Sequence, residues 1–493
     1  DIDFFRQTEL PIDDLETELE RKERWRSIYT IYFTMFLMSL GFSIILTGVW
    51  PYLGKLDPTA GKEFMGYVVA ANPLGQMLFS PLVGWWGNKR GSVRLPLLIT
   101  LALFTISSAA YSILEMIPGN KKNYMLVARF FVGVSSGKFF SNFYIVLGFV
   151  VGPGLQAAVT PLGDHGVTFL MLPLNMYTAA GWINVIMGIF NFIFLLPWNF
   201  KEHKIAIKEA MRDEGKATEK ETWKAIKPDY LASWTLICGF FVLVFNFVLL
   251  ETLGTSLTMD QFAWTKKEAL YYMGILMSVG AVIACITFTM IGPLCKKFAE
   301  RKVMLWGGFF FMVIGRVLCI PWGPDSPIIG DFGPYNNITT DANGTEIVGC
   351  PITQEWCLYT PQITITQFLI GYAFTSIGYP IGVTLMQTIF SKILGPRPQG
   401  VWMGLMTGAG CASRVLGPIF VGFIYTRLGT YHTFGITGVM LIISMLWLQF
   451  VNKRLIAPEL KKSNEVSNKQ EKDIEIPLVQ LRSNNTQTSR ESV

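Results

Sequence analysis

Apolar residues run in blocks of roughly twenty, at about 27–52, 64–87, 95–117, 123–162, 175–200, 229–253, 268–293, 302–322, 358–391, 400–425 and 432–452. Such a block, as a helix rising 1.5 Å per residue, crosses a hydrocarbon core about 30 Å thick. Lipid offers no partner to backbone N–H and C=O groups, so each block is predicted to be a helix. The pattern predicts an all-α membrane protein. One block does not fit: 123–162 is too long for one straight crossing and barely long enough for two. It is expected to form a cramped hairpin turning near Lys138–Asn142, or to leave a hole in the N-terminal half.

Charge orients the blocks. Arg21, Lys22, Arg24 and Arg26 precede the first block, and Lys/Arg next to a span favours the cytosolic side. The longest charged stretch between blocks, 201–228, carries lysines and Arg212. The chain therefore divides into a cytosolic N-terminal segment 1–26, a helical half 27–200, a cytosolic basic linker 201–228, a helical half 229–452 and a cytosolic polar tail 453–493 expected to be disordered. The first 26 residues are acidic, then basic, and never apolar, so they read as no cleavable signal. The loop 323–357 falls on the luminal side and holds two glycosylation sequons, Asn337-Ile-Thr and Asn343-Gly-Thr. Cys350 and Cys357 lie together there, on the oxidising side, where a disulfide is plausible beside the alternative of two free thiols.

Composition agrees with the pattern. The chain is 51% hydrophobic and 15% charged, against about 25% charged in soluble domains. A net charge of +6 does not indicate nucleic acid, because the basic residues sit between apolar blocks. The other cysteines (Cys238, Cys285, Cys295, Cys319, Cys411) read as small packing residues. His165, His203 and His432 are scattered, so no metal site is expected, and no phosphate loop or nucleophile elbow stands out. Neither an enzyme nor a cofactor is expected.

Charges inside apolar blocks are expensive and face protein or a wet cavity. Arg129, Glu251 and Arg414 are the candidates for lining a transport pathway. Arg129 reads as an anion-attracting group or a snorkelling cap, and Glu251 as a proton site or a hydrated luminal carboxylate. Arg414 reads as a partner of Glu251, a contact for a permeating anion, or half of a structural ion pair. Arg316 reads as a snorkeller and Asp260 as a loop end. Lys138 is assigned no role.

Several strings carry a resemblance. GWWGNKRGSVR (84–94) resembles the G-x-x-x-D-R-x-G-R loop signature of the major facilitators, with Gly84 and Gly91 matching, Asn88 and Lys89 replacing Asp and Arg, and Arg90 following. RFFVGVSSG, with Arg129, Gly133 and Gly137, resembles the R-x-x-x-G pattern of the fourth helix. GFVVGP, with Gly148, Gly152 and Pro153, resembles the G-x-x-x-G-P pattern of the fifth. ETLGTSLTMDQFAW (251–264), KILGPRPQGVWMG (392–404) and ASRVLGP, ending in Gly417 and Pro418, narrow it to lysosomal major facilitators linked to late-infantile neuronal ceroid lipofuscinosis. The resemblance implies two six-helix halves, twelve helices in all, in a lysosomal and late endosomal multi-pass membrane with both termini cytosolic. It also implies movement of a small anion such as chloride, in a channel-like or carrier manner; the reading of Glu251 as a proton site makes protons the candidate second ion. One departure stands out: Gly137 and Gly148 are 11 positions apart, so the first half is expected to be shortened between its fourth and fifth helices. The alternatives are a non-transporting membrane sensor or adaptor, and a defective splice or gene-model variant of the transporter. Beyond the lipid bilayer and the small ion, no protein partner is legible.

Overall fold

The computed structural model describes residues 16–57, 62–135, 148, 151–152, 155–156, 158–163, 166–169, 172–203, 205, 208, 211, 228–331, 347–352, 354–395 and 397–456. Gly137, Lys138, Pro153, Asn337 and Asn343 lie outside these residues, as do most of the linker 201–228 and the tail from 457 onward.

The first half contains α1 (Glu18–Leu56), α2 (Lys62–Arg90), α3 (Arg94–Ser112), α4 (Lys121–Ser135) and α5 (Thr178–Phe194). A capping box opens α1: the Thr17 hydroxyl accepts from the Glu20 N–H, and the Glu20 carboxylate accepts from the Thr17 N–H. Its N-terminus meets the chain that follows α5, where Lys201 N–H donates to Ser27 Oγ at 3.1 Å and Lys201 Nζ lies 2.7 Å from Glu23. Arg94 N–H donates to Glu202 at 2.7 Å, so the α2–α3 turn shares this basic end. At the opposite end Lys55 pairs with Glu115 at 3.0 Å and Lys122 with Asp57 at 2.8 Å. Successive helices α1 to α4 thus alternate in direction.

The long block 123–162 begins as α4, which rests on α2 so closely that a Cβ on Gly133 would overlap the Asn72 carbonyl oxygen. It continues along α1. A Cβ on Gly148 would lie 2.8 Å from Leu40 N, one on Gly152 2.5 Å from Ser43 Cβ, and Gln156 lies beside Gly48. Residue numbers rise together along this contact, so the described residues Gly148, Gly152 and Gln156 run parallel to α1 and opposite to α4. The joint between these two arms, 136–147, lies outside the described residues. A short hairpin, β1 (Val167–Phe169) with β2 (Leu172–Leu174), leads into α5.

The second half contains α6 (Tyr230–Phe262), α7 (Lys266–Lys297), α8 (Glu300–Lys302, a π-helical stretch Val303–Phe309, then Phe310–Leu318), α9 (Ile365–Leu394) and α10 (Gly400–Val451). Thr265 and Glu268 form the capping box of α7. The Thr265 hydroxyl and then its N–H hold the Glu268 carboxyl below its ordinary value. A Cβ on Gly308 would sit 2.9 Å from Gly382 Cα, and one on Gly315 2.8 Å from the Gly371 carbonyl oxygen. Small residues thereby let α8 and α9 touch backbone to backbone, the route membrane helices take when hydrophobic burial no longer discriminates. By contrast α7 leaves Val279, Val282, Ile286 and Met290 exposed, an apolar face suited to lipid.

The last two predicted blocks are one helix with a break. Gly429 (φ 81°, ψ −171°) interrupts α10, a conformation open to glycine and strained for other residues. The Trp356 ring fills the place where a Cβ on Gly429 would sit, at 2.5 Å. Cys350 and Cys357 are joined in a disulfide with Cα atoms 6.5 Å apart, and β3 (Ile329–Gly330) pairs in parallel with β4 (Cys350–Pro351). These contacts seat the described part of the 323–357 loop on the break in α10.

Among the described residues, six helical segments are long and apolar enough to cross a membrane: Glu18–Ile45, Arg94–Ser112, Tyr230–Phe262, Tyr271–Lys297, Ile365–Leu394 and Gly422–Arg454.

Candidate functional site

The two halves meet along α2 and α10. A Cβ on Gly84 would overlap the Gly400 carbonyl oxygen, and one on Gly404 would lie 2.7 Å from Pro81 Cα. Glycine is required at both because the backbones themselves touch. Asn88 closes the contact with both ends of its amide: Oδ1 accepts from Gly400 N–H at 3.0 Å, and Nδ2 donates to the Pro398 carbonyl at 3.2 Å. Gly91 ends α2 at φ 68°, its N–H donating to the Gly87 carbonyl at 3.0 Å. Lys89 lies over the Trp85 ring at 5.1 Å, while Arg90 is exposed. Nearer the middle, Cys411 Sγ lies 3.0 Å from Gln76 Oε1. All these contacts fall on 76–91 of α2, the part nearest the basic end.

Three intramembrane arginines sit in three different environments. Arg129 on α4 is 1% exposed, with its guanidinium 5.6 Å from the Phe42 ring and near Tyr111. Among the described residues none of its guanidinium nitrogens has a hydrogen-bond partner. Beside it Tyr52, Tyr111 and Tyr177 form an aromatic cluster, with Tyr52 at 5.2 Å from Tyr111 and 5.4 Å from Tyr177. Arg316 on α8 is 0% exposed, but Asn246 holds it through a side-chain bond of 3.1 Å from Nε and a second bond to its backbone carbonyl. The snorkelling reading of Arg316 is therefore overturned: the guanidinium points into the half, where an amide side chain and a carbonyl replace the water it would have sought. Arg414 on α10 is half-buried, bonded to Tyr379 and interacting electrostatically with Glu251. Glu251 on α6 is exposed and also interacts with Tyr372. The Tyr379 ring stacks on Phe247 at 3.9 Å. Glu251 and Arg414 lie in the same half and interact electrostatically, whereas Arg129 lies in the other half.

Asp260 is not a loop end. It lies in the last turn of α6, 9% exposed, and accepts from the Tyr425 hydroxyl at 2.8 Å. Tyr425 in turn packs edge-on against Trp356 at 5.3 Å. Sequence reasoning missed this knot because its members come from α6, α10 and the loop after α8. The glycines singled out for packing behave as their size requires. A Cβ on Gly417 would lie 3.1 Å from Val248 Cγ1, Gly133 meets α2, Gly148 and Gly152 meet α1, and Pro418 lies inside α10. Among the described residues, no group of three or more His, Cys, Asp or Glu side chains could hold a metal ion.

The Major Facilitator Superfamily model matches residues 31–333 and 347–486. The chain belongs to this superfamily. Major facilitators are transporters of the bilayer and not enzymes. The chain is 38% identical over 481 residues to major facilitator superfamily domain-containing protein 8 of Xenopus laevis, covering 90% of this chain and 94% of that protein. It is 24% identical over 313 residues to the quinolone resistance protein NorA of Staphylococcus aureus, covering 59% and 72%. Solved facilitators share the fold. The human organic anion transporter MFSD10 has a TM-score of 0.54 at 16% identity, covering 86% of this chain and 99% of its own. A bacterial ferroportin homologue in an outward-facing state scores 0.58 at 10% identity, covering 85% and 98%. The architecture is that of a twelve-helix facilitator. In that frame the α2–α10 contact joins the two halves at the basic end.

Proposed function

We propose that this facilitator moves a small anion, chloride first among them, across a lysosomal or late endosomal membrane, with both termini in the cytosol. The observation that carries this is the contrast among the intramembrane arginines. Arg316 is bonded by Asn246 and Arg414 by Tyr379, whereas Arg129 has no hydrogen-bond partner among the described residues and lies over the Phe42 ring. Keeping an uncompensated cation buried costs several kcal/mol, and a mobile anion supplies the missing charge during passage. Glu251, on the other half and within electrostatic reach of Arg414, is the group for a coupled proton. The closeness in sequence to a facilitator domain-containing protein supports the class of protein, and the organic anion transporter's fold is compatible with anionic cargo.

The test is chloride efflux from proteoliposomes. Arg129→Gln is expected to lower the flux about 10- to 100-fold, the equivalent of losing one hydrogen bond to a charged group, while Arg129→Lys retains part of it. Wild-type flux in Arg129→Gln would end this reading. Flux that saturates and shows exchange marks a carrier, and sustained current far above carrier turnover marks a channel.

A further inference from the structure

A groove of about 900 Å³ opens on the flank of the first half, at its basic end, away from the contact between the halves. One stripe of α1 lines it, from Glu18 through Lys22, Trp25, Arg26 and Tyr29 to Phe33. These positions recur every three to four residues, so they share one helical face. The far wall is Phe194, whose ring meets Phe33 edge-on at 5.7 Å, and Asn199.

The stripe changes character along its length. At the mouth are Arg21, Lys22 and Arg26, all exposed, against the single carboxylate of Glu18. Among the described residues, Arg21 and Lys22 have no side-chain hydrogen bond or ion pair. Arg26 donates one bond, 2.9 Å to the Trp198 carbonyl, and keeps other donors free. Deeper in, the lining is aromatic: Trp25 and Tyr29 are 5.9 Å apart, and Tyr29, Phe33 and Phe194 are 49%, 43% and 39% exposed. From Arg21 to Phe33 the stripe spans about 18 Å at the helical rise, and it begins where the first membrane-length apolar span begins. Aromatic side chains at such a level mark the membrane interface.

We infer that this groove binds one phospholipid bearing a phosphorylated headgroup, of the phosphatidylinositol phosphate class. Excess positive charge at the mouth requires an anionic headgroup. Three basic residues facing one carboxylate leave room for more than a single phosphodiester charge. The aromatic wall, at the level of the membrane interface, suits an acyl chain better than a soluble ion. Basic pockets between membrane helices are a recurrent way to hold such headgroups. The inference goes beyond the transported ion and does not depend on it.

The test titrates the full chain in detergent with dioctanoyl phosphatidylinositol 4-phosphate, dioctanoyl phosphatidylcholine and free inositol 1,4-bisphosphate. The first is expected to bind at least about ten-fold more tightly than either of the others. Arg21→Ser/Lys22→Ser is expected to weaken it roughly thirty-fold, and Phe33→Ser to weaken the lipid without changing elution on size exclusion. All three side chains are exposed, so the variants keep the fold. Equal binding of the two lipids, equally tight binding of the free headgroup, or an unchanged affinity in Arg21→Ser/Lys22→Ser would each overturn the proposal.

Discussion

At the residue scale, the arginines separate structural from functional charge. Asn246 meets Arg316 with both its side chain and its carbonyl, so Asn246→Ala leaves a buried cation short of an acceptor. That change is expected to lower stability by about 1–3 kcal/mol, read as an earlier midpoint in thermal unfolding of the detergent-solubilised chain. Arg129→Met should act in the opposite sense. Replacing an unpartnered buried charge by an apolar side chain of similar volume is worth up to about 1–4 kcal/mol of added stability. The same variant is expected to lose anion flux. A lower midpoint for Arg129→Met would mean that the arginine has a structural partner, and the functional assignment would fall with it. In the sequence all three residues are alike, an arginine within an apolar block. Only the presence or absence of Asn246 and Tyr379 beside each guanidinium distinguishes them.

At the scale of elements, the α2–α10 contact depends on an amide. Asn88 both accepts from Gly400 N–H and donates to the Pro398 carbonyl. A carboxylate keeps the first bond but has no proton for the second and sets its charge against a carbonyl oxygen. Asn88→Asp, which restores the residue of the loop signature, is therefore expected to loosen the contact. Loss of one such bond is worth about 0.5–1.5 kcal/mol, which shifts the balance of closed and open forms at the basic end several-fold. A cysteine placed at Met77, modified by a membrane-impermeant reagent from that side, is expected to react faster in Asn88→Asp than in the parent. Equal rates would show that the clasp does not set this equilibrium. The break in α10 makes a second prediction. Gly429→Ala meets both a positive φ and the Trp356 ring, so it is expected to cost more than about 1 kcal/mol and to speed reduction of the Cys350–Cys357 disulfide, followed by thiol labelling. The glycine signature of the loop was legible because a tight turn and a close backbone approach admit little else. The gap between the predicted blocks 400–425 and 432–452 brackets the break at Gly429, but the ring that fills the place of its Cβ, Trp356, lies more than seventy positions earlier in the chain and no local pattern shows it.

For the whole molecule, the question is parity. Residues 198–203 return to the N-terminus of α1, through Arg26, Ser27 and Glu23. The first half therefore begins and ends on one side, with the described residues Gly148, Gly152 and Gln156 following α1 between α4 and α5. This arrangement predicts the basic linker on the same side as the basic N-terminal segment, as the Lys/Arg distribution requires, and the 323–357 loop on the opposite side. Glycosidase treatment of the chain expressed in cells is expected to increase gel mobility, and Asn337→Gln/Asn343→Gln to remove that shift. Protection of this loop from protease in intact vesicles is expected alongside. A loop cleaved from the cytosolic side would show that the second half is inverted, and transport by this chain would be excluded.

The sequence by itself determined the class of molecule, the positions of most helices and the residue types at close backbone contacts. Each follows from local chemistry: apolar length set by bilayer thickness, unpaired backbone groups forcing helix, and glycine where a Cβ does not fit. The tertiary structure alone decided which buried charges are satisfied, that Asp260 and Tyr425 meet under Trp356, and that Arg21, Lys22 and Arg26 share a groove with Phe194. Those are pairings between segments far apart in the chain. Their energies depend on distances of a few ångströms that no local pattern encodes.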